Sequence, residues 1–188
     1  MNWLIIIIGL SVLWLGSEIG LSRLKRAAAT DRRVDRSSFR LLWVVILLAV
    51  TVGVLIGLQR VGRFGGGSGR LPVAGIILII GGLLIRWLAI FSLRRQFTVD
   101  VAISPDHRLI TAGIYHYLRH PAYAGSLLSF LGLGLLFSNY LSVLTIFVPI
   151  CSAFLYRIHV EEKALIEAFG ADYLDYCAST KRLIPGIF

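Results

Sequence analysis

Apolar runs and short polar breaks alternate along the whole chain. Five runs stand out, at residues 3–21, 39–58, 71–93, 121–137 and 141–156. A bilayer-crossing helix needs about 20 apolar residues, and in lipid only helices or closed barrels satisfy their own backbone groups. The pattern therefore predicts an all-α, polytopic membrane bundle of about five spans. The fourth and fifth runs are short and separated only by Ser138, Asn139 and Tyr140. They form a tight helical hairpin. Residues 160–178 then turn amphipathic, with Leu165, Phe169, Tyr173 and Tyr176 at helical spacing among acids and a lysine. This segment reads as a C-terminal interfacial helix on the cytosolic side, in which Gly170 ends one helix and Asp172 caps the next. The chain divides into a three-span membrane region, 1–93, and a region carrying the polar motifs, 94–188.

Composition supports this architecture. Of 188 residues, 57% are hydrophobic, and mean hydropathy is +0.81, beyond ordinary globular usage. The N-terminal run lacks a basic leader and is read as a retained span. The net charge of +9 does not mark a nucleic-acid binder, because the basic residues sit between spans. Arg40 opens the second run and is counted with the first break, and Arg86 lies deep inside the third run. The first and third breaks and the tail hold fifteen Lys and Arg, whereas the glycine-rich second break holds Arg60, Arg63 and Arg70. The excess sets the first group in the cytoplasm, with the N-terminus outside and the C-terminus inside.

Two polar clusters fall on that side. Residues 107–123, HRLITAGIYHYLRHPAY, concentrate two Arg, three His, three Tyr and a Pro. Arg157, His159, Glu161 and Glu162 follow one hairpin later. Groups this polar must meet water or line a polar cavity, so the clusters are read as one cytosolic-facing site. No Walker, GxGxxG, GxSxG or HExxH pattern occurs. His116 and His120 have i, i+4 spacing, but Pro121 disfavours helix there and no carboxylate completes a set. The site is expected to hold no metal.

A cofactor cavity fits better. Gly113 permits a turn with unusual dihedrals. Pro121 suits the first turn of a helix whose N–H groups and dipole favour a carboxylate-bearing ligand. Tyr115 and Tyr123 can wall an adenine ring or a sulfonium. Glu161 can bind an amino group or ribose. Arg157, one turn earlier on the same face, can orient an anionic acceptor or simply form a surface ion pair with Glu161. Arg86, about two turns inside the third span, either snorkels, pairs within the bundle or touches substrate.

The run Gly113-x-Tyr115-x-x-x-Arg119-His120-Pro121-x-Tyr123-x-Gly125, after His107-x-Leu109-Ile110, resembles the signature of the isoprenylcysteine carboxyl methyltransferase family. Glu161-Glu162-x-x-Leu165-x-x-x-Phe169-Gly170-x-x-Tyr173-x-x-Tyr176, then Pro185, is similar to that family's C-terminal motif. The likeness covers roughly residues 100–186. It implies a membrane methyltransferase using S-adenosylmethionine on a lipidic or prenylated carboxylate acceptor. The implied cofactor contacts are His107, Arg108, Leu109, Ile110, Tyr115, His120, Pro121, Ala122, Tyr123 and Glu161. Arg157 falls on the substrate side, and Arg157 and Glu161 are the expected catalytic pair; outside the likeness, Arg86 is a further candidate for substrate contact from its place in the third span. Ile110 replaces the family's common Val. Membrane lipid is an expected partner.

Other readings share parts of these motifs. Phospholipid N-methyltransferases have a similar Arg-His-Pro and Glu-Glu core, but an amine acceptor must lose a proton. Membrane sterol reductases have similar Arg-His-Pro-x-Tyr and Tyr-Cys…Pro-Gly endings, use a nicotinamide cofactor and are much longer. A non-catalytic membrane scaffold is the third alternative.

Overall fold

The computed structural model describes residues 32–35, 37–59, 61–65, 69–93, 101–103 and 109–188, with Gly9 and Gly16, both helical, from the first apolar run. The rest of that expected span lies outside the described residues. In chain order the elements are β1 (Arg32–Asp35), α1 (Ser37–Gly57), α2 (Arg70–Leu93), β2 (Val101–Ile103), a 3-10 turn (Gly113–His116), α3 (Pro121–Leu136), α4 (Tyr140–Phe169) and α5 (Ala171–Ser179). The helical bundle is as expected, with one addition: β1 and β2 form a short antiparallel ribbon between the first and third breaks. Both breaks were assigned to one membrane side, which the pairing requires.

Helices α1, α2 and α4 are long and apolar enough to cross a membrane, whereas α3 is a shorter apolar helix. Burial on α1 follows a narrow stripe: Ser38, Leu42, Ile46, Ala49, Gly53 and Gly57. Val45 and Val50 also pack against the core, whereas Leu41, Val44, Leu47, Leu48, Val52 and Leu55 are exposed, as suits lipid. The stripe joins Leu127 and Phe130 of α3 and Ile146, Ile150, Phe154 and Ile158 of α4 in the main core. Packing of α2 on α3 uses glycine instead. A Cβ on Gly132 would lie 2.5 Å from the Gly75 carbonyl, and one on Gly125 2.5 Å from that of Gly82. Only glycine lets two backbones approach so closely, trading side-chain volume for backbone contact in a setting without a hydrophobic drive.

At the opposite end from the polar clusters, the 138–140 turn is stitched to the second break. Asn139 is fully buried. Its amide nitrogen donates to the carbonyls of Ile56 (3.3 Å) and Val61 (2.8 Å). Its oxygen caps α4 by accepting from Leu141 N–H (3.0 Å) and Ser142 N–H (3.2 Å).

Two expectations are corrected. The fifth apolar run ends near residue 156 but its helix does not: α4 continues unbroken to Phe169, and only α5 is a separate amphipathic helix. A helix keeps its own hydrogen bonds in water and in lipid, so the fall in hydropathy marks a change of environment, not a helix end. Gly170, at φ 54°, ends the helix, as expected. Asp172 is not the cap of α5. The helix begins at Ala171, which puts Asp172 in the first turn, where its charge complements the dipole.

Candidate active site

The polar site forms where the first turn of α3 meets the polar continuation of α4. Gly113 opens the 3-10 turn at φ 66°, as its freedom from a Cβ allows. The strand-like stretch after that turn is fixed from the far end of the chain. Leu118 bridges Lys181 in parallel, Arg119 N–H donates to the Lys181 carbonyl (2.7 Å), and His120 N–H donates to that of Arg182 (3.0 Å). Pro121 then begins α3.

Two hydrogen-bonded chains cross this junction. In the first, Arg157 Nη1 donates to Ser38 Oγ (3.2 Å) and Nε donates to Tyr123 Oη (3.0 Å). Tyr123 in turn donates to Glu161 Oε2 (2.7 Å). The guanidinium carbon lies 5.2 Å from the centre of the Phe39 ring, within cation–π range. Arg157 is only 3% exposed, whereas the Glu161 side chain is 31% exposed. A surface ion pair is thus not what spacing produces here: a phenol links a buried cation to a partly exposed carboxylate.

Glu162 is the centre of the second chain. It accepts from Arg119 Nε (3.0 Å), Arg182 Nε (3.0 Å) and Nη2 (2.8 Å), and His120 Nε2 (3.3 Å). Arg119 also donates through Nη1 to the carbonyls of Cys177 and Thr180. His120 stands between the chains, with Nδ1 4.0 Å from Glu161 Oε2 and its ring stacked on Tyr123 at 5.7 Å. Neighbouring acids on a helix point about 100° apart, so Glu161 stays partly exposed beside Tyr123 while Glu162 is buried and holds the tail.

Tyr115 is buried among Ala89, Ile90 and Ala122, with Ile110 packed against them. Its hydroxyl donates to the Ala89 carbonyl (3.4 Å), and its own carbonyl accepts from Tyr176 (2.6 Å). Burial first, and then the Glu161 carboxylate, push its phenol well above the ordinary range. Burial likewise raises Tyr176 to about 12 against the pull of Arg119. Both hydroxyls stay neutral donors at physiological pH.

The structure therefore brings together Tyr123, His120, Arg157 and Glu161, with Ile110, Tyr115, Pro121 and Ala122 alongside; Leu109 is half-buried nearby in sequence. His107 and Arg108 lie outside the described residues. His159 and His116 point outward, so His116 and His120 do not share a site. Arg86 braces α2 to α3, donating to Ser126 Oγ (2.9 Å) and the Ala122 carbonyl (3.3 Å). The start of α3 offers fewer donors than expected. Pro121 has no N–H, and those of Tyr123 and Ala124 turn back to the His120 carbonyl. Sequence reasoning missed the roles of Ser38, Arg119, Glu162 and Arg182. The adjacent Glu pair and the tail's Lys-Arg were the available signals.

Residues 75–167 match the isoprenylcysteine carboxyl methyltransferase family. The chain is 35% identical over 113 residues to protein-S-isoprenylcysteine O-methyltransferase A of Arabidopsis thaliana, covering 59% of this chain and 57% of that protein. It is 37% identical over 106 residues to the Saccharomyces cerevisiae protein-S-isoprenylcysteine O-methyltransferase, covering 55% and 44%. It thus aligns with only about half the length of these relatives. A solved structure of the eukaryotic intramembrane Ras methyltransferase, isoprenylcysteine carboxyl methyltransferase, superposes with a TM-score of 0.59 at 26% identity, covering 82% of this chain and 55% of that one. With its apolar helices and its paired polar motifs, this multi-pass integral membrane protein carries, over residues 75–167, the segment that matches the isoprenylcysteine carboxyl methyltransferase family.

Proposed function

We propose that this protein is a methyltransferase that moves the methyl group of S-adenosylmethionine to the carboxylate of a prenylated, cysteine-type acceptor. The hydrogen-bonded chain Arg157–Tyr123–Glu161 carries this reading. One phenol holds a buried cation and a partly open carboxylate in fixed relation. These are the charges needed to hold an anionic acceptor on one side and an ammonium-bearing cofactor on the other. The cofactor supplies a methyl group activated by a sulfonium. Glu161, oriented by Tyr123, receives its amino group or ribose. His120, Pro121, Ala122, Tyr123, Tyr115, Leu109 and Ile110 form the surrounding wall, and His107 and Arg108 belong to the same assignment. Arg157 orients the acceptor carboxylate, and Arg86 stands as a second cation on the acceptor's path.

An acceptor carboxylate has an ordinary pKa of about 3.5 and is ionised at neutral pH. No general base is then required, in keeping with a site where burial keeps Tyr115 and Tyr176 protonated. The protein's work is alignment and exclusion of water. Residues 1–93 form the three-span membrane region, and residues 94–188 the cofactor-binding catalytic region, which also carries Arg157. The site faces the cytosol, with the N-terminus outside and the C-terminus inside, as the basic excess favours.

Calorimetry on detergent-purified protein, with S-adenosylmethionine and with reduced nicotinamide cofactor, tests the donor. Binding of the first alone is expected. Binding of the second alone overturns the reading in favour of reduction, and binding of neither favours a scaffold. Transfer of radiolabelled methyl to a farnesylated cysteine, in an ester that base releases, then tests the acceptor. Label on phosphatidylethanolamine instead would reassign the protein to N-methylation.

A further inference from the structure

The family match begins at residue 75, yet the guanidinium of Arg157 is held by two side chains well before it. Ser38 is 2% exposed in the first turn of α1, and its hydroxyl accepts from Nη1 at 3.2 Å. Phe39 covers the guanidinium face at 5.2 Å and packs edge-on against Trp43 at 6.2 Å. Tyr123 fixes Nε from the other side. A guanidinium is planar and its donors are directional. Fixing one edge and one face therefore fixes the direction in which it meets an anion.

We infer that Ser38 and Phe39 are positioning residues for the acceptor: through Arg157 they set the orientation of the bound carboxylate, and through the Phe39–Trp43 pair they offer an apolar edge to its lipid portion. The inference rests on the acceptor-side assignment of Arg157 made above. It places an acceptor determinant in α1, outside the segment that matches the family. The cofactor side, reached through Glu161, does not involve either residue.

The test uses the full chain with S-adenosylmethionine and N-acetyl-S-farnesylcysteine, comparing Ser38→Ala, Ser38→Thr, Phe39→Leu and Phe39→Trp with the parent. Ser38→Ala and Phe39→Leu are each expected to raise the acceptor KM at least fivefold while the cofactor Kd stays within twofold. Ser38→Thr and Phe39→Trp, which keep the acceptor oxygen and the ring, are expected to restore most of the parental KM. An unchanged acceptor KM in both disruptive variants overturns the inference. So does a parallel loss of cofactor affinity, or a failure of the conservative variants to rescue, since a general structural defect does both. A parent that binds S-adenosylmethionine but leaves the farnesylated acid unmethylated removes the assignment beneath the inference, and the inference with it.

Discussion

Tyr123 uses one oxygen as both acceptor and donor, between Arg157 and Glu161. Removing that oxygen with Tyr123→Phe leaves a buried guanidinium short of a partner and a carboxylate free to swing. Lost hydrogen bonds to charged groups cost about 1.5–3 kcal/mol. Tyr123→Phe is therefore expected to lower kcat/KM at least tenfold while sparing the fold, measured by methyl transfer alongside thermal unfolding. Glu161→Ala should weaken S-adenosylmethionine binding at least tenfold by calorimetry; unchanged affinity would remove Glu161 from the cofactor side. Arg157→Ala should reduce turnover more than cofactor affinity, and the reverse pattern would exchange the two roles. Arg157 and Glu161 were legible as a pair because i, i+4 spacing puts them on one face. That they meet through a phenol from another helix was not, since nothing in the spacing of α4 reports what α3 sets against it.

Among the elements, α2 and α3 depend on glycine where they cross. A Cβ at Gly82 would collide with the Gly125 carbonyl and Ser129, whereas one at Gly81 meets nothing within 4 Å. Gly82→Ala is expected to lower the Tm in detergent clearly, and Gly81→Ala to leave it level or raise it slightly, since alanine is about 1 kcal/mol better than glycine in a helix. Equal effects would mean the crossing is not tight. Asn139→Ala, which removes both a cap and a buried amide, should cost about 2–4 kcal/mol. Two of the described spans were readable almost to the residue from hydropathy, residues 39–58 as Ser37–Gly57 and residues 71–93 as Arg70–Leu93, whereas α4 runs on past residue 156 to Phe169. The β1–β2 ribbon was not, because it pairs two short stretches far apart in sequence whose own patterns are too brief to stand out. Asn139 was readable in principle, as the residue type favoured just before a helix, but its reach to Ile56 and Val61 belongs to the tertiary structure.

At the scale of the whole molecule, the tail is part of the site. Glu162 ties Arg119 and His120 to Arg182, and the backbone pairing of residues 119–120 with 181–182 closes the same junction. The helix α3 that carries Tyr123 has only 16 residues, a rise of about 24 Å against a hydrocarbon core of about 30 Å. Its partners α2 and α4 have 24 and 30 residues. No residue of α3 is exposed, so bundle neighbours and not lipid surround it, and its polar start at His120–Tyr123 lies about 6 Å short of the full hydrocarbon depth measured from the hairpin. On the proposed function, a water-borne donor and a lipid-borne acceptor would meet at that recessed level without either crossing the full layer. In reconstituted vesicles, turnover should accordingly be higher in short-chain than in long-chain phosphatidylcholine, with membrane thickness acting as a rate-controlling variable.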